Sequence, residues 1–193
     1  MIRATYDWMM RMAGHKRAPE ALFTVSFIES SIFPIPPDVM LVPMILANRA
    51  RAWFYAALCT VASVLGGVAG YAIGYFLFDA IGQPLLDLYG YSSKFKEFST
   101  YYNEWGAWIV FFAGVTPFPY KVVTVASGTT GLNIIVFILA SIASRGLRFF
   151  IVAALLYWFG EPIRVFIEKR LGLLLTVFLL LLFGGFLALR FLH

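Results

Sequence analysis

The sequence predicts an all-α integral membrane protein. Two proline-broken re-entrant helical hairpins form an inverted repeat, each followed by a transmembrane helix, and a further transmembrane helix lies near the C-terminal end. Three observations lead there. The 193 residues are 61% hydrophobic and 13% charged, against about 45–50% and about 25% in soluble domains, and a soluble domain of this size has too small an interior to hide the excess. Two apolar runs, 52–78 and 172–189, meet without difficulty the roughly 20 residues that cross a bilayer. Three further apolar stretches, 21–47, 106–127 and 134–158, contain prolines or ionisable residues, which a lipid-facing helix does not tolerate.

The same composition excludes an ordinary globular domain, a disordered chain and a nucleic-acid reader. The net charge of +5 fits basic cytoplasmic loops better than a polyanion-binding face. Cys59 lies in an apolar run and reads as a small packing residue. One cysteine and the distant His15 and His193 cannot assemble a zinc site. With no nucleophile elbow and no phosphate-binding Gly-Lys loop, neither an enzyme, a cofactor nor a metal is expected.

Residues 1–20 carry Arg3, Arg11, Lys16 and Arg17 around Tyr6, Met9, Met10 and Ala13 at helical spacing, which reads as an interfacial segment on the cytoplasmic side. Stretch 21–47 holds Glu29, Asp38, Pro34, Pro36, Pro37 and Pro43. Clustered prolines remove helix donors and clash with the preceding turn, so a hairpin with its tip at 33–38 is expected in place of a spanning helix. Segment 52–78 crosses the membrane. Its Gly66, Gly70 and Gly74 form overlapping G-x-x-x-G pairs, extended by Ser63, that admit a closely packed helix from this chain or from a second protomer. In 79–105, Phe95, Phe98, Tyr102 and Trp105 make one face of an amphipathic segment at the outer interface.

Stretch 106–127 repeats the first design. Its break, Thr116-Pro117-Phe118-Pro119-Tyr120-Lys121, aligns Pro117 and Lys121 with Pro34 and Asp38 at a constant offset of 83. Segments 134–158 and 172–189 complete the crossings. With hairpins, one crossing separates the two copies and inverts the second, an architecture found in transporters. Arg3, Arg11, Lys16, Arg17, Arg49, Arg51, Arg164, Lys169 and Arg170 then lie inside, and Lys94, Lys96 and Arg190 outside. Full crossings by both broken stretches satisfy the same positive-inside count, so the prolines and buried charges decide for hairpins.

Arg145 and Arg148 flank the midpoint of 134–158, where an arginine costs about 2.5–3.5 kcal/mol on insertion scales. Standing three residues apart on a helix, they repel each other and need negative partners. Glu29 and Asp38 supply these from the first hairpin, and Lys121 adds a third base from the second. Arginine forks suit phosphate and carboxylate, so Arg145, Arg148 and Lys121 are expected to attract an anionic headgroup. Glu29 and Asp38 are expected to gate, pair with the bases or carry a proton, since desolvation favours their protonated form and a neighbouring arginine the charged one.

These residues resemble the DedA family, also called the SNARE-associated or VTT-domain family. The resemblance rests on F-x-E at Phe27–Glu29, P-I-P-P-D at Pro34–Asp38, T-P-F-P-Y-K at Thr116–Lys121, A-S-G at Ala126–Gly128 and S-R-G-L-R-F at Ser144–Phe149. The T-P-x-P-Y-K form looks most like the YqaA branch, and the likeness covers about residues 20–160. It implies a multi-pass bacterial inner-membrane protein with two inverted re-entrant hairpins, involved in moving phospholipid or polyprenyl phosphate across the bilayer, in some members with dependence on the proton-motive force. The family's acids in the first hairpin match Glu29 and Asp38. Its arginines around the second hairpin have no match in this chain, which carries Val115, Thr116 and Lys121 there.

The function expected is therefore a lipid flippase or scramblase with a central charged cavity. The alternatives are a proton-coupled transporter of a small solute and a non-transporting membrane scaffold. A homodimer is compatible with so large an apolar surface.

Overall fold

A computed structural model of the protein describes residues 17–31, 37–116, 118–160 and 162, and among these there is no strand. The helices are α1 Ala18–Ser31, α2 Asp38–Ala47, α3 Ala52–Leu77, α4 Gln83–Tyr89, α5 Ser92–Val115 and α6 Tyr120–Thr129, followed by α7, Ile134–Gly160. A 3-10 turn, Arg49–Arg51, precedes α3, and a π-turn, Phe78–Gly82, links α3 to α4. The interfacial segment up to residue 16, the apolar segment 172–189 and Pro34, Pro36 and Pro117 lie outside the described residues.

Prolines set the breaks. Pro37 (φ −64°) and Pro119 (φ −62°) cap α2 and α6. At a helix start proline costs no hydrogen bond, because the first N–H groups have no intrahelical acceptor. The arms that follow are each 10 residues long, about 15 Å at 1.5 Å per residue. By contrast, α3 and α7 run 26 and 27 residues, and both are long and apolar enough to cross a membrane. Asn133 caps α7 by accepting the N–H groups of Ile135 (2.9 Å) and Val136 (3.3 Å). Gly131, at φ +66°, turns the chain between α6 and α7.

Contacts along α3 fix the helix directions. α1 runs parallel to it: the Ser26 hydroxyl donates to Cys59 Sγ at 3.4 Å, Ser30 and Ser63 share a hydrogen bond of 2.6 Å, and the Phe27 carbonyl lies against Gly66. α6 is also parallel, on the further half of α3, with Tyr120 beside Gly67, Thr124 beside Gly70 and Val125 beside Gly74. α7 is antiparallel to α3: the Phe137 ring is 5.4 Å from Tyr71 at one end, and the Phe150 ring 6.1 Å from Trp53 towards the other.

α2 returns beside α1. Leu22 near the start of α1 shares an apolar cluster with Met44 and Ile45 near the end of α2, Ala56 of α3 and Phe149 and Ala153 of α7. α5 and α6 enclose a second cluster, Tyr102, Val110, Tyr120, Val123, Leu132 and Phe137, with the Ser99 hydroxyl and the Asn103 amide both donating to the Thr130 carbonyl at the far end.

Small residues make these approaches possible. A Cβ at Gly66 would strike the Phe27 carbonyl, at Gly70 the Thr124 hydroxyl, and at Gly74 the Val125 carbonyl. The glycine face expected to receive a closely packed helix thus receives the chain's own broken helices. Gly128 of α6 completes the seam against the Tyr71 carbonyl, a packing role its sequence setting did not indicate. Outward, α3 and α7 present Phe54, Val61, Leu65 and Phe76, and Ile135, Leu139, Ile142, Leu147 and Ile151.

One boundary differs from the sequence reading. The separate amphipathic segment 79–105 and the start of the second broken stretch at 106 are one helix from residue 92 onward, the 24-residue α5. No proline interrupts this span, and Gly106 lies within the helix with the Leu132 side chain packed where a Cβ would stand. Two residues of the aromatic stripe make inward contacts: Phe95 stacks on Phe78 of the π-turn at 4.5 Å, and Tyr102 is buried, its hydroxyl 3.0 Å from Ser127 Oγ. Phe98 and Trp105 remain exposed.

Candidate functional site

The ends of the broken helices meet near the middle of α3 and α7. α1 ends at Ser31 and α5 at Val115, while α2 begins at Asp38 and α6 at Tyr120. Arg145 and Arg148, near the midpoint of α7, reach all four.

Arg145 makes the inner pair. Its Nη2 donates to Glu29 Oε2 at 2.5 Å and its Nε to Ser63 Oγ at 2.6 Å. Ser30 closes the loop, its hydroxyl 3.0 Å from the same Glu29 oxygen. The guanidinium lies over the rings of Tyr120 (4.6 Å) and Phe149 (5.1 Å), where the ring faces attract a cation. The Tyr120 hydroxyl donates to Ser141 Oγ, which donates onward to the Phe137 carbonyl at 2.6 Å. The Thr124 hydroxyl donates to the Ser30 carbonyl at 3.2 Å. Arg145 therefore joins α1, α3, α6 and α7 through a charge that is paired and hydrogen-bonded, the condition for tolerating it away from water.

Arg148 makes the outer pair. Its Nη2 donates to Asp38 Oδ2 at 2.5 Å, and its Nη1 to the Thr116 carbonyl at 3.3 Å. It therefore spans the two breaks: Asp38 opens α2, where a carboxylate suits the positive end of the helix dipole, and Thr116 follows α5, where a cation suits the negative end. The pairs differ in access. Side-chain exposure is 1% for Arg145 and 15% for Glu29, against 23% for Arg148 and 28% for Asp38. Among the described residues, Asp38 Oδ1 is buried without a hydrogen-bond donor.

Four of the five charged side chains singled out in the sequence thus form two ion pairs. Lys121 sits in the first turn of α6, next to Tyr120, and is partly exposed. The five carry a formal charge of +1. Sequence reading missed Ser26 and Ser30, which share the buried face of α1, and the Tyr120–Ser141 link. Its usable signal was the small polar residues next to each buried charge and one helical turn before it: Ser30 and Ser26 for Glu29, Ser144 and Ser141 for Arg145. Among the described residues no group of three His, Cys, Asp or Glu side chains lies close enough to hold a metal.

The VTT domain, the domain of the DedA family, matches residues 35–158, which take in Pro36 to Asp38 of the first break, the whole of the second and both arginines. The chain belongs to the VTT-domain family. An uncharacterized protein of Haemophilus influenzae is 37% identical over 169 residues, covering 88% of each chain. An uncharacterized homologue from Histophilus somni is 36% identical over 156 residues, covering 81% of each. No solved structure is significantly similar to the chain. VTT-domain proteins are membrane proteins linked in general to lipid transport, and α3 and α7 supply this VTT domain with two helices able to cross a bilayer.

Proposed function

We propose that the protein is a lipid flippase or scramblase of the bacterial inner membrane, moving the headgroup of a phospholipid or polyprenyl phosphate past the Arg148–Asp38 pair while the tails stay in the bilayer. In this reading α1/α2 and α5/α6 are two re-entrant hairpins of inverted direction, entering from opposite faces, with the basic N-terminal segment cytoplasmic. The work is transport, not covalent conversion of a substrate.

One observation carries the reading. Two broken helix pairs reach the mid-height of two membrane-length helices and are joined there by a partly exposed Arg148 that bridges Asp38 and the Thr116 carbonyl. Non-helical backbone and charge at that depth are tolerated only where protein or a wet path surrounds them. A headgroup phosphate can replace the Asp38 carboxylate on the guanidinium, because both anions fit the same fork. Loss of the Asp38 link would free α2 from α5, which makes the outer pair the gate. Arg145, sealed by Glu29, Ser63 and Tyr120, anchors the hairpins against α3 and α7.

The test is headgroup translocation in proteoliposomes, with fluorescent phospholipid and undecaprenyl phosphate in parallel. Arg148→Ala should abolish movement while the protein stays folded and monodisperse. Glu29→Gln, measured with and without an imposed proton gradient, separates driven from passive movement. Undiminished movement by folded Arg148→Ala would overturn the assignment. Solute uptake that follows a pH gradient without any lipid movement would favour a proton-coupled solute transporter.

A further inference from the structure

The four arms that meet at the ion pairs are not held alike. Three are stitched to the long helices or to each other by side-chain hydrogen bonds. α1 is tied to α3 by Ser26 to Cys59 and Ser30 to Ser63, and to α7 by Glu29 to Arg145. α6 is tied to α7 by Tyr120 to Ser141, to α1 by Thr124 to the Ser30 carbonyl, and to α5 by Ser127 to Tyr102. Close backbone approach adds to both, with the Phe27 carbonyl on Gly66 and the Val125 carbonyl on Gly74.

α2 has neither device. Every residue from Val39 to Ala47 is apolar, so only Asp38, at its tip, can offer a side-chain hydrogen bond. Asp38 uses one oxygen, Oδ2 on Arg148 at 2.5 Å, and its Oδ1 has no donor among the described residues. Among the described residues no glycine presses against α2. Leu41, Met44 and Ile45 share a cluster with Leu22, Ala56, Phe149 and Ala153, but in a bilayer such contacts compete with equally apolar lipid tails. Pro43 also leaves the Val39 carbonyl without its helical donor.

The other end of α2 is pinned. Asn48 leads directly into the 3-10 turn Arg49–Arg51, and a Cβ at Gly160 would stand 2.7 Å from Arg49 Nε. A cation at the end of α7 suits the negative end of that helix's dipole. From Arg148 to Gly160, α7 runs roughly 18 Å, close to the roughly 15 Å of α2. α2 therefore lies along the C-terminal half of α7, its tip on Arg148 and its base at Gly160.

We infer that α2 is the arm that moves: when the Asp38–Arg148 bond opens, α2 swings about the Arg49 turn while α1, α5 and α6 stay on α3 and α7. The two breaks then open asymmetrically, although their sequences match at an offset of 83. The inference rests on the reading of the outer pair as the gate, and it names the element that the gate moves.

The experiment measures distances between pairs of spin labels in the full-length protein in liposomes. Val39 of α2 and Val122 of α6 occupy equivalent positions, and each is paired with Val61 of α3; all three are exposed. The exposed Ala47, at the base of α2, is paired with the exposed Leu155 of α7. Cys59 is buried and stays unlabelled. The latch is opened by Asp38→Asn and, independently, by Arg148→Gln, so that misfolding of one variant leaves the other. The Val39–Val61 distance should broaden and shift by several ångströms in both variants, with Val122–Val61 and Ala47–Leu155 unchanged. In the wild type, amides of α2 should exchange with solvent severalfold faster than those of the equally long α6.

Equal shifts at Val39 and Val122 would overturn the proposal, because both arms would then move. An unchanged Val39 in the folded variants, or equal amide protection of α2 and α6, would overturn it by showing that packing alone holds α2. Movement of Ala47 as large as that of Val39 would remove the pivot. The transport reading fails separately: normal translocation by Arg148→Ala removes it even where α2 swings.

Discussion

Arg145 and Arg148 stand one helical turn apart, yet their surroundings give them different consequences. Arg145 is 1% exposed, so truncating it leaves Glu29 charged and partly buried without its partner. Breaking such a pair costs about 3–5 kcal/mol. Arg145→Ala is expected to lower the thermal unfolding midpoint in detergent sharply and to reduce the yield of folded protein. The double replacement Arg145→Met with Glu29→Gln should recover much of that loss, because no charge is then stranded. Arg148, more exposed than Arg145, should behave differently. Arg148→Ala strands the more exposed of the two acids, so it is expected to destabilise less than Arg145→Ala and to remove translocation. Equal destabilisation by Arg145→Ala and Arg148→Ala would contradict the division into an anchoring pair and a gating pair.

At the scale of the elements, cohesion cannot come from hydrophobic burial alone, because the bilayer offers the helices an equally apolar environment. Close backbone approach and interhelical hydrogen bonds take its place, and the glycine seam of α3 is where they concentrate. In an isolated helix Gly74→Ala would favour folding by about 1 kcal/mol. Here the new Cβ strikes the Val125 backbone, which cannot rotate away as a side chain could. Gly74→Ala and Gly128→Ala should therefore destabilise, by about 1–3 kcal/mol, as overpacked sites do, with α6 displaced from α3. Gly90 is the control: its φ is +70° and nothing lies within 4 Å, so Gly90→Ala meets only backbone strain of about 1–2 kcal/mol and leaves the interface intact. A distance measured between spin labels at the exposed Ile73 of α3 and Val122 of α6 would report the displacement in the first two variants and its absence in the third.

At the scale of the whole molecule, the re-entrant reading makes a sidedness prediction. Two hairpins put Glu20 and Asn48 on one face of the membrane and Ser93 on the other, whereas a single kinked crossing over 21–47 would separate Glu20 from Asn48. All three positions are exposed, and the native Cys59 is buried, so it contributes no background. In sealed vesicles, an impermeant thiol reagent should label Glu20→Cys and Asn48→Cys from the same side and Ser93→Cys from the other. Labelling of Glu20→Cys and Asn48→Cys from opposite sides would remove the inverted repeat and, with it, the gate between the two breaks.

The positions of the breaks and the long helices were legible because they depend on local chemistry. Clustered prolines end a helix, whereas the lone Pro43 stays inside α2, and an apolar run of membrane length fits few other environments. The need for Arg145 and Arg148 to find acids was legible for the same reason, since a charge at that depth demands compensation whatever the fold. Which acid serves which arginine was decided only in three dimensions: Glu29 precedes Arg145 by 116 residues and Asp38 precedes Arg148 by 110, and no local pattern encodes such pairings. Burial by neighbours from four helices likewise separates a sealed Arg145 from an open Arg148, although both have the same chemistry and stand one turn apart. The continuity of α5 escaped the sequence because its polar first half and apolar second half differ in composition, while a helix continues through such a change unless a proline or an unsupported glycine stops it.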